Sequence, residues 1–227
     1  MGSVELCGQT VTTDNAEYLD GLQKLVKMAQ LLHQILDKDG EISEGNGWKS
    51  KEVKSGITIS TKNLDGIGLT YASSMSLDVP IEKARKMFWD DMPTMHKYLK
   101  MQESAEVVHT FNDNVSILRM VTRDFLVIKG REVLGVRAIN AKDKNTIYCY
   151  SRSFPCKCIP VTAGKVRADV PLSGLKIVAA PGNKSVQVTF LHSMNFDVPV
   201  PDAVLIAAAT QLLATDMESM KKYAATV

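Results

Sequence analysis

Residues 184–224 constrain the fold more than any other stretch of the chain. Val186, Val188, Phe190, His192, Met194 and Phe196 alternate as one face of a strand, prolines mark a break, and the helix that follows is apolar on nearly every side. One face of a sheet and a helix wrapped in Ala and Leu both need apolar cover. Aromatic residues make up only 6% of the chain, so there is little bulk to fill the space between the two. The combination points to a cavity built for an apolar ligand.

A chain of 227 residues, 45% of them hydrophobic, is long enough for one domain with a core and an internal cavity. Lys and Arg number 27 against 25 Asp and Glu, a net charge of +2 that argues against a nucleic-acid partner. The opening residues contain no signal-peptide core, and no stretch reaches the roughly 18 apolar residues of a membrane span. The expectation is a soluble, cytoplasmic protein. Residues 1–14 are expected to be a flexible N-terminus and residues 15–227 a single domain. Gly2 and Cys7 resemble a doubly lipidated start, but Leu6 stands where that motif needs Ser or Thr. Cys7, Cys149, Cys156 and Cys158 are too few and too unevenly placed for a disulfide scaffold, and Cys156-Lys-Cys158 lacks the second pair that closes a zinc site. Reduced thiols and no metal are expected.

Leu19, Leu22, Val26, Ala29, Leu32 and Leu36 recur at helical spacing over residues 15–36, with Asp14 placed as the cap. The segment from Asp37 to Ser43 resembles a calcium loop, but counting from Gly40 puts Ile35 and Asn46 at ligand positions, so only a turn remains. Strands are expected over 48–53, 56–62 and 68–77, with Asn63, Asp65 and Gly66 turning between the last two. Pro80 opens a helix with Ile81, Ala84, Met87 and Phe88 on its buried stripe, and a second short helix spans 94–99. Six more strands follow, over 105–111, 115–123, 131–141, 145–153, 164–179 and 184–196, before Pro201 and Asp202 start the final helix. Short connections make the neighbours antiparallel. The fold class is therefore α+β, a curved antiparallel sheet of about nine strands around a long C-terminal helix.

Gly47-Trp48-Lys49 after the opening helix, the helix region from Lys83 to Trp89-Asp90, the run from Lys129 to Arg137, Gly164-Lys-Val-Arg167 and Val188-Thr-Phe190 stand in the order found in START domains. The chain resembles the START (steroidogenic acute regulatory protein related lipid transfer) family over residues 15–225. That resemblance implies a helix-grip fold that holds one lipid in an internal tunnel and carries it between membranes without chemistry or a cofactor. Two departures stand out. Asn195 aligns with the family's usual Asp, and Phe196-Asp-Val-Pro199 lacks the glycine that follows it. Gly130-Arg131-Glu132-Val133 lacks the usual proline.

A lipid tunnel needs apolar walls and a few polar groups for the head group. His192 lies in register with Phe190 and Met194, facing the expected cavity, or is a core histidine bonded to a neighbour. The resemblance puts Arg137 where START domains often carry a cavity-facing arginine; Leu118 falls near the place of the acid that sterol carriers set opposite it. Otherwise Arg137 pairs with Glu132 or Asp169. Tyr71 and Ser73 add hydroxyls, Met120 soft lining, and Leu205, Ala208 and Leu212 one line of the last helix. Phe125, Leu126, Val127 and Ile128 form an apolar run between two strands, either a mobile gate that touches a bilayer, together with Val198 near the last helix, or the end of the preceding strand. The leading expectation is a monomeric lipid carrier that contacts membranes transiently at their periphery. The alternatives are a ligand-sensing module and a helix-grip enzyme pairing His192 with Asp169 or Glu132.

Overall fold

The computed structural model describes residues 1–38, 41–54, 56–124, 129–195 and 201–226. Helix α1, Ala16–Leu36, begins where its apolar spacing says it should, but Asn15 is the cap. Asn15 Oδ1 accepts the backbone N–H groups of Glu17 at 2.9 Å and Tyr18 at 3.2 Å, a geometry that Asp14 stands one residue too early to make.

The first 14 residues, expected to be flexible, are folded. Strands β1 (Gly2–Leu6) and β2 (Gln9–Thr13) form an antiparallel hairpin, turned by Cys7 and Gly8 at φ of 55° and 74°. Val4 pairs with Val11, and Leu6 and Val11 are buried in the core that holds α1. Val4 and Leu6 on one strand and Val11 on the other are too short a signal to stand out in the sequence.

The main sheet is formed by β3 (Lys49–Lys54), β4 (Ile57–Leu64), β5 (Gly68–Leu77), β6 (Gln102–Asn112), β7 (Val115–Thr122), β8 (Arg131–Asp143), β9 (Thr146–Ser153), β10 (Val166–Arg167), β11 (Asp169–Ala179) and β12 (Val186–Asn195). Its order is β3-β4-β5-β12-β11-β9-β8-β7-β6, every adjacent pair antiparallel. The strand expected over 164–179 divides at Ala168, whose N–H bonds the carbonyl of Glu132 at 2.9 Å. Before it, β10 runs parallel to β8; after it, β11 lies between β9 and β12.

Between β5 and β6, α2 (Ile81–Arg85) continues into a π-turn over Lys86–Asp90, and the short helix expected at 94–99 is a 3-10 turn over Met92–Lys97. Helix α3, Asp202–Ala224, closes the chain. α1 covers one face of the sheet, against Ile117, Val136, Tyr148 and Leu191; α2 and α3 cover the other, against Ile59, Met75, Ile177 and Val188. Alternation in β8 sends Leu134, Val136 and Ala138 to the α1 side and Val133, Arg137 and Ile139 to the other, so every residue from Arg131 to Ile139 is buried. Gly174 on β11 lets α1 approach: a Cβ there would strike Leu32 and stand 2.8 Å from the carbonyl of Cys149.

The C-terminal end of α1 is pinned by Asp37. It accepts hydrogen bonds from the Tyr148 hydroxyl, from Lys176 Nζ at 3.0 Å and from Lys142 Nζ at 3.3 Å, and it contacts His33 Nδ1 at 3.0 Å. Partial burial pushes the Asp37 carboxyl up, but these donors outweigh it and hold the group well below the usual carboxylate range.

Of the cysteines expected to be reduced, Cys7 and Cys149 are free, whereas Cys156 and Cys158 are joined as a disulfide. Their loop is held to the first turn of α1 by Glu17, which accepts the N–H of Lys157 at 3.0 Å and of Cys158 at 3.3 Å. Both hydrogen bonds join residues some 140 positions apart.

Candidate functional site

A cavity of about 380 Å³ lies between the inner face of the sheet and the helices α2 and α3. Each strand contributes alternate residues to its wall: Tyr71 and Ser73 from β5, Met120 and Thr122 from β7, Val133 and Arg137 from β8, Phe190, His192 and Met194 from β12. Phe88, Trp89, Met92 and Met95 close the side beneath α2. Helix α3 lays Leu205, Ala208, Ala209, Leu212, Asp216, Met217 and Met220 over the opening, residues three or four apart that share one face. Tyr71, Ser73, Met120, Arg137, Phe190, His192, Met194, Leu205, Ala208 and Leu212 thus all border one space, although the sequence scatters them over more than 140 positions. The expected gate residues Phe125, Leu126, Val127, Ile128 and Val198 lie outside the described residues.

Arg137 is 6% exposed and its guanidinium sits 4.0 Å from the centre of the Trp89 ring. Its Nε donates to Ser116 Oγ at 2.9 Å, and Nη1 donates to the Trp89 carbonyl at 3.0 Å and reaches Met92 Sδ at 3.5 Å. Nη2 makes no hydrogen bond to any described residue. Burial lowers the group to about 10, so it stays charged at neutral pH. Neither acid proposed for it is available. Glu132 faces away, takes the N–H of Thr162 at 2.8 Å and pairs with Arg167 at 2.9 Å; Asp169 pairs with Arg152 at 2.8 Å. The residue opposite Arg137 on β7 is Ser116, and Leu118 faces Gly135 instead. The reason is the β-ladder register, which a two-residue offset in alignment is enough to miss.

His192 is surrounded by protein, and the part of its surface that remains accessible opens into the cavity. Desolvation lowers it to about 4, so the ring is neutral at physiological pH. It forms no hydrogen bond with a described residue, and the acid–base pairs with Glu132 or Asp169 are not assembled, because both acids are held by arginines elsewhere.

Several wall residues escaped the sequence reading. Asp216 was the most legible of them, since Leu205, Ala208, Leu212 and Asp216 continue one helical line, and only its charge kept it from being counted. Desolvation raises its carboxyl to about 6. Beside the β7–β8 connection the wall carries Arg123, Lys129 and Arg131, and from β9 it carries Cys149, whose thiol burial pushes up to about 12. Nothing in the local pattern marks these four as cavity residues.

An antiparallel sheet closed by a long C-terminal helix over an apolar cavity defines the helix-grip class of lipid-binding domains. Residues 36–221 match the family model of the START domain, and the chain belongs to that family. START domains bind lipids and transfer them, and that general function comes with membership. Human StAR-related lipid transfer protein 5 superposes with a TM-score of 0.79 over 92% of this chain and 98% of its own, at 15% identity. Human STARD10 superposes with a TM-score of 0.72 over 87% of this chain and 78% of its own, at 17% identity. A STAR-related lipid transfer protein fragment from Xanthomonas axonopodis reaches 0.64 over 78% and 98%, at 14% identity. At such identities the likeness is one of fold. No curated protein matches the sequence. Among the described residues no helix is long and apolar enough to cross a membrane.

Proposed function

We propose that the protein holds one lipid in this cavity and carries it between membranes in the cytoplasm, acting as a monomer that touches bilayers only to load and unload. The observation that carries the reading is the cavity of about 380 Å³, apolar except for a few inward-facing polar side chains. Arg137, His192, Tyr71 and Ser73 receive the polar end of the lipid. Met120, Phe190, Met194, Leu205, Ala208 and Leu212 enclose its apolar body. A volume near the lower end of the roughly 300–1,000 Å³ usual for ligand pockets favours a compact lipid, such as a sterol, over a phospholipid or ceramide with two long chains.

Phe125, Leu126, Val127, Ile128 and Val198 serve as the gate and the membrane contact. The run of four apolar residues in the sequence between β7 and β8 supports this, as does Val204, which is 56% exposed in the first turn of α3. Native mass spectrometry of the purified protein, followed by extraction and identification of what it carries, tests the reading. One lipid per chain is expected; a reproducibly empty protein that takes up nothing from mixed vesicles overturns it. A protein that loads lipid but never passes it between vesicles is a lipid sensor and not a carrier.

A further inference from the structure

Asp216 is the one carboxyl group among the described residues that borders the cavity. It sits on α3, one turn beyond Leu212 and next to Met217, in an otherwise apolar strip that faces the sheet. No described residue donates a hydrogen bond to it or forms an ion pair with it, and burial alone accounts for its raised affinity for a proton. Arg137, a buried cation of the same wall, does not offset it: its hydrogen bonds go to Ser116, the Trp89 carbonyl and Met92, and it forms no ion pair with Asp216. His192 is likewise acted on by desolvation alone. The cavity therefore holds separate polar points that no described residue satisfies: an acceptor at Asp216, donors at Arg137 Nη2, and a neutral ring at His192 able to do either. An unmet polar group in an apolar site is costly, and a surface position was open to an acid anywhere else on a helix whose far side faces solvent.

From this juxtaposition we infer that Asp216 is a ligand-binding residue, which accepts a hydrogen bond from a hydroxyl or amino group of the bound lipid and so selects lipids that carry a donor. The inference rests on the lipid-binding reading above. It also assigns a role to the helix that bears Asp216. Docking of α3 brings the carboxyl into the apolar space, so the docked helix is best satisfied when a donor-bearing lipid is already there, and loading and closure become one coupled equilibrium.

The test compares lipids that differ only in the donor. Cholesterol against its methyl ether, and octadecanol and octadecylamine against octadecyl methyl ether, are delivered from phosphatidylcholine vesicles and their occupancy is measured by native mass spectrometry. At least one donor-bearing member is expected to bind about tenfold or more tightly than its ether, the effect of one hydrogen bond to a charged group. In Asp216→Leu that ratio falls to near one while the ether binds as well as before or better; Asp216→Asn, closest in shape, retains part of the preference and serves if the leucine variant does not fold. Equal binding of alcohol, amine and ether by the wild type, or a preference that survives in both variants, overturns the inference and leaves lipid binding intact. No uptake of any of these lipids, nor of those in mixed vesicles, overturns lipid binding itself.

Discussion

On the outer face of the sheet, α1 buries Leu22, Leu25 and Leu32 without residual exposure, and its end is tied to the strands by the hydrogen bonds around Asp37. On the inner face, α3 lies over methionines and an open cavity, and Asp216 and His192 have no hydrogen-bond or ion-pair partner among the described residues. Both faces belong to the same strands, and both are covered by a helix of similar length. The difference is in how completely each interface is filled. A close-packed face resists deformation and supplies stability, whereas a face with unfilled volume and unmet polar groups keeps binding energy in reserve for a ligand. The outer layer is the frame of the molecule and the inner layer is its site.

The largest expected contrast comes from truncating leucine on each face. Leu32→Ala opens a cavity in a packed interface and should cost about 2–5 kcal/mol in a denaturant titration, whereas Leu212→Ala, whose side chain already faces empty space, should fall at or below the low end of that range. Equal losses would break the comparison. Next in size is Gly174→Ala, which forces Leu32 and the Cys149 carbonyl aside and should cost about 1–3 kcal/mol, because the added methyl points into the filled side of the sheet.

Arg137→Leu should separate binding from stability. Removing one member of a buried ion pair costs several kcal/mol because the other charge is stranded, but Arg137 has no such acid among the described residues. Stability within about 1 kcal/mol of wild type is therefore expected, with a clear loss of affinity for the lipid found in the purified protein. A collapse in melting temperature would show that Arg137 belongs to the frame.

The smallest effects are in pH dependence, and the two faces titrate in different windows. Asp37 is held below its ordinary value, so its contribution is present above about pH 4 and is lost on further acidification. Asp216 is raised to about 6, so its ionisation penalises the folded state above that pH, and the penalty is relieved as pH falls toward 4. His192 is depressed to about 4, so stability is lost as pH falls from the ordinary histidine range near 6.5 toward 4. The two inner-face groups oppose each other. In melting curves between pH 4 and 6.5, Asp216→Asn should expose the acid loss due to His192, and His192→Leu should expose the acid gain due to Asp216. Parallel profiles for both variants would mean that neither group is enclosed as described.

Much of this was legible along the chain. Alternation in β5 and β12 identified Tyr71, Ser73, Phe190, His192 and Met194 as one inward face, and spacing in α3 aligned Leu205, Ala208 and Leu212, because period two and period 3.6 are local consequences of backbone geometry. Charge obscured Asp216, although the same spacing reaches it. The alternation in β8 put Arg137 on the cavity side, but nothing local said that Ser116 and Trp89, and not an acid, would meet it.

What the sequence determined by itself is therefore what short-range pattern can carry: the order of helices and strands, the sides of each that must be buried, the presence of an uncovered apolar surface, and the family. Tertiary structure decided the rest. It folded the first residues onto α1, broke one expected strand at Ala168, gave Glu132 and Asp169 to other arginines, and left Asp216 and His192 facing a common space with no partner among the described residues. Each of those outcomes depends on which residues far apart in the chain come within a few ångströms. Register and packing fix such distances, and sequence spacing does not.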